Sequence, residues 1–512
     1  MESYTTKYLK GYTAELLSII LGIVSLFVVV PFISSNKEIY GVYSLCISTW
    51  VFLSYADLGF LGASTKYAAE FFQLKKKDKE AEVLAFGAFI LFAVACLISL
   101  FFLFFSFKPD IIIRGINESP YLGTAKQMFL WMAVFSPFIA LQRLASSIFS
   151  VRVESYICQF VNIIGSLVKI LSVFYFFTGG RYTIVQYYVF IQTVSVLCSF
   201  INIAVAHKRY DYSIKHLTLS FRWNSNCFQE TKDLALSSFA MSISWILYYE
   251  IDQIVIAKYY GAAQVATFAI AFAILNYVRM FMGGLFSPFN ARFAHFRADN
   301  NIKGLKDFFI QVVNITMPIV VCPLLAMSIL ADDFIIAWSG PQYLDAVPIT
   351  ILFVLLNVFA FLSYPTNSMI TVFEKVKTLK IMAFILPVIY WLGIVIMPSS
   401  WSVLPFGIMK VFVFWLLIPV YSIISFKILN IDWKQLFSGL LKYNLIAIII
   451  VTALSLAIRH FVVVESKGVL QLLQVCGVIM LISASGYIVT YCMNPFIKSY
   501  VKNLRYKVFK NR

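Results

Sequence analysis

Apolar runs of about 20 residues recur along the whole of this 512-residue chain, and no other feature constrains its fold as strongly. A helix of about that length crosses the roughly 30 Å hydrocarbon layer of a bilayer, and it satisfies its own backbone hydrogen bonds where no water can. The runs are read as spans at 12–33, 39–62, 83–107, 127–149, 157–178, 184–206, 234–257, 264–287, 308–330, 346–369, 380–397, 403–426, 443–463 and 469–491. Composition agrees, with 61% hydrophobic and 13% charged residues against roughly 25% charged in soluble domains. The first run is too long for a signal h-region and no A-x-A-like site follows it, so it is read as a retained span. The expected fold is an all-α integral membrane protein of about fourteen transmembrane helices.

An even span count puts both termini on one side, and the distribution of basic residues says which. With the N-terminus inside, inner segments and inner helix ends hold 30 of the 41 Lys and Arg. They include Lys75, Lys76, Lys77 and Lys79 after the second span and Lys498, Lys502, Arg505, Lys507, Lys510 and Arg512 in the tail. The net charge of +17 is therefore a statement about orientation. The basic residues are spread along one membrane face, with no folded domain to present them to nucleic acid. The eight cysteines include no C-x-x-C pair and read as small apolar packing residues. The four histidines lack ligand spacing, so no metal is implied.

The long inner loop at 207–232 separates spans one to six, within 1–206, from spans seven to twelve, within 233–426. The remainder, 427–512, holds a terminal helix pair and the basic tail. A shift of 225 residues places Tyr43 on Phe268 and Ala69 on Ala294, a faint match that suggests a duplication with parallel repeats. The expected architecture is two six-helix lobes around a central cleft. No G-x-x-x-x-G-K-[ST] loop is present to hold a nucleotide, and no cofactor is implied. Any transport is expected to draw on ion or substrate gradients, unless a partner supplies an ATPase.

A Lys or Arg at bilayer depth costs on the order of 2.5 to 3.5 kcal/mol on insertion scales, so it should face a cavity or a partner. Lys169 stands at the centre of span five, where Ser155, Gln159, Asn162, Ser166, Lys169 and Ser172 form one helical stripe. Arg279 shares a face of span eight with Asn276, Gly283 and Ser287. Lys410 lies in span twelve among Phe406, Val413 and Phe414, where a long side chain could also snorkel outward. Arg143 and Arg152 bracket the inner mouth after span four, a position the positive-inside rule already explains. Lys169, Arg279, Asn162, Ser166, Asn276, Lys410 and Arg143 are the candidate substrate-binding residues. For proton or sodium coupling the candidates are Asp252, Asp57 and Glu250. Asp252 continues a stripe of Ser238, Ser242, Trp245 and Tyr249, and a helix-end or ion-pair role is open for each of the three.

The stretch Tyr40-Gly41-Val42-Tyr43 through Tyr55-Ala56-Asp57-Leu58-Gly59-Phe60, followed by Lys66-Tyr67-Ala68-Ala69-Glu70, resembles the second-span signature of bacterial polysaccharide-type flippases. These are the O-antigen and capsule repeat-unit translocases of the multidrug/oligosaccharidyl-lipid/polysaccharide exporter superfamily. The resemblance implies a flippase of the cytoplasmic membrane moving an undecaprenyl-diphosphate-linked oligosaccharide, with membrane lipid around it and a polysaccharide polymerase and chain-length regulator as partners. The deepest charges here are cations, which suits an anionic cargo. Alternatives are a drug or peptidoglycan-precursor exporter of the same superfamily, or a membrane glycosyltransferase or polymerase. The last would need catalytic residues in a sizeable outer loop, and the Asp332-Asp333 pair reads instead as a short solvated turn.

Overall fold

Backbone groups inside lipid have no solvent to turn to, and the computed structural model meets that demand with helices alone among the described residues. It describes residues 4–210, 214–373, 376–462, 464–495 and 497–498. The tail residues Lys502, Arg505, Lys507, Lys510 and Arg512 lie outside them. The chain divides into two compact units, Met1–Ala266 and Thr267–Arg512.

The first unit contains α1 (Tyr4–Ile33), α2 (Lys37–Leu53), α3 (Phe60–Gln73), α4 (Lys77–Phe107), α5 (Leu122–Phe135), α6 (Ile139–Val151), α7 (Ser155–Phe177), α8 (Ile184–Tyr210), α9 (Ile214–Ser220), α10 (Ser225–Trp245) and α11 (Asp252–Tyr260). Helices α10 and α11, read from sequence as the opening of the second lobe, pack in this unit on α3 and α2. The division falls inside α12 (Ala262–Ala298). The second unit continues with α13 (Ile302–Ile329), α14 (Ala331–Ser339), α15 (Val347–Leu356), α16 (Ala360–Val372), α17 (Val376–Ile396), α18 (Leu404–Leu429), α19 (Trp433–Arg459) and α20 (Val469–Met493).

Ten helices among the described residues are long and apolar enough to cross a membrane, and twelve crossings result if each of two bent pairs is one span. The expected count of fourteen is not reached by this measure, and the second expected span shows one local reason. The apolar run at 39–62 is broken, because α2 ends at Leu53 and α3 starts only at Phe60. Over 380–397 the chain forms the C-terminal part of α17, a helix of 21 residues, Val376–Ile396.

The break between α2 and α3 shows why the residues of the second-span signature are what they are. Leu58 and Gly59 both take positive φ, at 49° and 79°, and the Asp57 carboxylate accepts the Gly59 and Gly62 amides at 3.2 and 3.4 Å. The turn thus satisfies the donors that the start of α3 leaves open. Gly59 also lies against the chain of α10, since a Cβ there would stand 2.3 Å from the Ala235 carbonyl oxygen. Gly41 meets the start of α12 still more closely, with a Cβ placed 1.8 Å from the Ala262 carbonyl oxygen. Both glycines let one backbone approach another, as small residues do between membrane helices.

Five cysteines are buried and all eight thiols are free, which fits their reading as packing residues. The Asp332-Asp333 pair is not a solvated turn. It forms the first turn of α14, where Asp332 pairs with Arg459 and Asp333 is buried. Burial, and then the neighbouring Asp332 charge, push the Asp333 carboxyl above the usual carboxylate range.

Candidate functional site

The polar stripe of α7 meets a second one on α8. Lys169 is half-buried, and its Nζ donates to Ser195 Oγ at 2.6 Å. Ser195 in turn donates to the Ile191 carbonyl at 2.9 Å. Gln192, Ser195, Ser199 and Asn202 follow one another at steps of three, four and three, so they share one face of α8. Three of them, Gln192, Ser199 and Asn202, are buried. This α8 stripe escaped the sequence reading, which looked for charges at depth, although its spacing is as regular as that of α7. The two helices come close enough that a Cβ on Gly165 would stand 2.5 Å from Cys198 Sγ.

Two acceptors in this seam, Gln159 Oε1 and Asn202 Oδ1, are buried and accept no hydrogen bond among the described residues. Buried acceptors left open are costly, on the order of 1 to 3 kcal/mol each. Asn162 is exposed and donates to Cys158 Sγ at 3.7 Å, while Ser166 is half-buried and Ser172 donates to the Lys169 carbonyl. The stripe therefore presents an ammonium group, amides and hydroxyls along one helix face that is otherwise apolar. Such a set can bind phosphate oxygens and sugar hydroxyls.

In the second unit, Arg279 and Asn276 stand together on α12, with Nη1 of the arginine 3.5 Å from Asn276 Oδ1. Tyr364 on α16 donates to the Arg279 carbonyl at 3.5 Å. Lys410 is fully buried, and its Nζ lies 4.6 Å from the centre of the equally buried Tyr390 ring. It does not snorkel, because the aromatic face takes the charge inside the helix packing. Arg143, on α6, is exposed.

The acidic candidates take three different positions. Asp57 caps α3, the helix-end role the sequence left open. Glu250 is half-buried at the end of a π-helical turn, Ile246–Glu250, and the chain bends there by 42°. That turn changes the helical register, so the stripe assumed along span seven is not one continuous face. Ser238 and Trp245 are exposed, whereas Tyr249 and Asp252 are buried, Asp252 completely.

At the end of α6 the structure assembles an ionic cluster that the sequence reading represented by Arg152 alone. Arg152 is buried and bonds Glu80 at 2.7 Å, and its guanidinium lies 4.8 Å and 4.5 Å from the Phe72 and Tyr210 rings. Two residues on, Glu154 accepts from Lys7 at 2.6 Å, Tyr210 at 2.7 Å and Arg209 at 2.9 Å. Burial by itself would raise the Glu154 carboxyl, but the bonds from Lys7, Tyr210 and Arg209 outweigh it and hold it at about 2. One carboxylate thus ties α1 to α8 across the turn between α6 and α7. The signal for it in sequence was weak, because Lys7 and Arg209 are two hundred positions apart and fit the positive-inside pattern on their own.

No family model matches the chain, and no curated protein matches it in sequence. Solved structures do match in fold. A lipid II flippase, MurJ, in an inward closed conformation, aligns with a TM-score of 0.63 at 15% identity, over 95% of this chain and 99% of that one. An inward-facing multidrug resistance MATE family transporter of the MOP superfamily aligns with a TM-score of 0.60 at 13% identity, over 83% and 96%. An outward-facing MATE transporter aligns at 0.55 and 12%, over 84% and 96%. At these identities the likeness is one of fold.

Proposed function

We propose that this chain is a flippase of the bacterial cytoplasmic membrane, carrying undecaprenyl-diphosphate-linked oligosaccharide repeat units from the inner to the outer leaflet for O-antigen or capsule assembly. The observation that carries the reading is the half-buried Lys169 ammonium on the polar seam of α7 and α8. A cation kept at depth, among amides and hydroxyls, suits a cargo that joins a phosphate to sugars. The Arg279–Asn276 pair offers a second cationic subsite of the same chemistry. The fold shared with a lipid II flippase and with MATE transporters supports a transport role over an enzymatic one.

Both termini are cytoplasmic on this reading, and the cargo crosses by alternating access. The lipid tail stays in the bilayer while the headgroup crosses. Outward movement of an anion is favoured by roughly 2.3 kcal/mol per charge per 100 mV of inside-negative potential. Proton or sodium return through Asp252 or Glu250 would reset the cycle. A polymerase and a chain-length regulator would take up the product.

The test is a complementation assay in cells lacking their own repeat-unit flippase. Lys169→Ala combined with Arg279→Ala should lower surface polysaccharide at least tenfold at unchanged membrane levels of the protein, and Lys169→Arg should restore part of it. Full translocation by the double alanine variant would end the cationic-cargo reading. A second reading, export of a peptidoglycan precursor or a drug, is favoured by the MurJ and MATE folds. It would be supported if the chain rescued loss of a lipid II flippase, or conferred drug resistance, without restoring surface polysaccharide.

A further inference from the structure

A groove of about 840 Å³ opens in the second unit where α18 ends and α19 begins. Its walls are apolar: Leu362 of α16 and Ile418, Ser422 and Phe426 of α18 are buried, and Ile423 and Trp433 are exposed. The volume falls in the range of about 300 to 1,000 Å³ typical of sites that enclose a ligand. One lysine lines it and two more contact its lining residues. Lys427 lines the groove and is exposed. Lys306, from α13, donates to the carbonyl of Asn430, another lining residue, at 2.5 Å. Lys434 lies with its ammonium 5.8 Å from the centre of the Trp433 ring.

Among the described lining residues the one carboxylate is Asp432, and it is engaged as the cap of α19, accepting the Lys434 amide at 3.0 Å. The groove therefore joins an apolar wall to a positive mouth, with an exposed tryptophan at the rim, the side chain that favours the membrane–water boundary. Soluble metabolites do not need the apolar wall, and a neutral lipid does not need the lysines. A molecule with acyl chains and a phosphate head uses both.

We infer that this groove binds an anionic phospholipid of the leaflet it opens to, with an acyl chain against Ile418, Ser422 and Phe426 and its phosphate held by Lys306, Lys427 and Lys434. On the orientation proposed above, the end of α18 is cytoplasmic, where anionic lipid attracts basic side chains. The site is separate in residues from Lys169 and Arg279, so it is a lipid site in addition to the cargo path.

The experiment is native mass spectrometry of the full-length protein, purified in detergent and titrated with phosphatidylglycerol or with phosphatidylcholine of the same chains. Phosphatidylglycerol should bind preferentially, and its retention should fall as salt rises from about 50 to 500 mM, since part of the attraction is screened. Each of Lys306→Gln, Lys427→Gln and Lys434→Gln should weaken it about five-fold, and Ser422→Trp, which fills the groove, should weaken both lipids. Equal binding of the two lipids by the wild-type chain, independent of salt, would overturn the assignment without recourse to any variant. So would displacement of bound phosphatidylglycerol by a short isoprenyl phosphate at equimolar amounts, which would make the groove a seat for the carrier of the cargo. Because lipid binding is read directly, this result stands or falls apart from the translocation assay.

Discussion

Replacing Gly41 by alanine tests the reading that the second-span signature exists to bring backbones together. On helix propensity alone the change is favourable by about 1 kcal/mol, since glycine inside a helix gives up more chain entropy than alanine does. The structure reverses the sign. The added methyl would lie 1.8 Å from the Ala262 carbonyl oxygen and 2.6 Å from its carbon, where ordinary contact begins near 3.4 Å. The obstacle is backbone, so no rotamer change relieves it, and α2 must move by more than 1 Å from the start of α12. Overpacking of that kind costs about 1 to 3 kcal/mol, and the loss of the packing around buried Tyr40, Val42 and Leu45 adds to it. Gly62, on α3 in the same signature region, is the internal control, because a Cβ there meets nothing within 4 Å. Thermal unfolding of the purified protein, followed by tryptophan fluorescence, should show Gly41→Ala clearly below wild type and Gly62→Ala at or above it. If both variants matched or exceeded wild type, the close approach of α2 to Ala262 would be wrong.

Two further perturbations separate structure from transport. Glu154→Gln removes a carboxylate held at about 2 against an ordinary value of 4.5. A lowered folded-state value means its stabilisation is complete above about pH 4.5 and is lost as pH falls towards 2. The shift corresponds to about 3 kcal/mol at most, and solvent screening at the half-exposed Arg209 brings this to about 2. Equilibrium unfolding should therefore show the variant weaker at pH 7 and the gap closing between pH 4.5 and 2; a gap undiminished at pH 2.5 would remove the carboxylate from the explanation. Lys410→Met deletes a buried charge while filling a similar volume, so stability should hold or rise slightly. Translocation should drop about tenfold if the Lys410 ammonium meets the cargo, and undiminished translocation would leave it a packing residue held by Tyr390.

What the chain disclosed in one dimension and what it withheld follow from how each interaction is encoded. Spans were legible because each needs a contiguous apolar run, and the α7 stripe was legible because helical spacing lies within one segment. Breaks were not. The apolar run 39–62 continues through Tyr55 to Phe60, and only Asp57 with Gly59 hints that the backbone turns there and is capped from within. The π-turn at Ile246–Glu250 has no composition of its own, so a stripe counted at 3.6 residues per turn slid off its face before Asp252. Pairings between distant segments were hidden for a different reason. Lys7, Arg152 and Arg209 each satisfied the positive-inside rule, which accounts for where a basic residue lies but not for what it touches. Their convergence on Glu80 and Glu154 is tertiary information. Lys410 shows the same limit from the other side: its sequence left both a cargo site and a reach to the interface open, and the aromatic ring that holds it inside lies twenty residues earlier in the chain.

These hidden features share a physical origin. A membrane helix whose backbone is fully satisfied has little reason to bend, so each departure from regular α-helix needs a local side chain or a close neighbour to stabilise it. In the first unit Asp57 serves that need between α2 and α3, and Gly59 lets α10 lie against the same turn. The 42° bend before Asp252 then occurs in the very segment that packs on α2 and α3. The second-span signature and the bend of the seventh expected span are thus two sides of one packing arrangement. It follows that Gly59→Ala, strained by its φ of 79° and by the Ala235 carbonyl at 2.3 Å, should disturb α10 as well as α3. Hydrogen exchange would read this as faster exchange in peptides covering 235–252 in addition to those covering 57–70, whereas a change confined to 57–70 would show that the two segments are energetically independent.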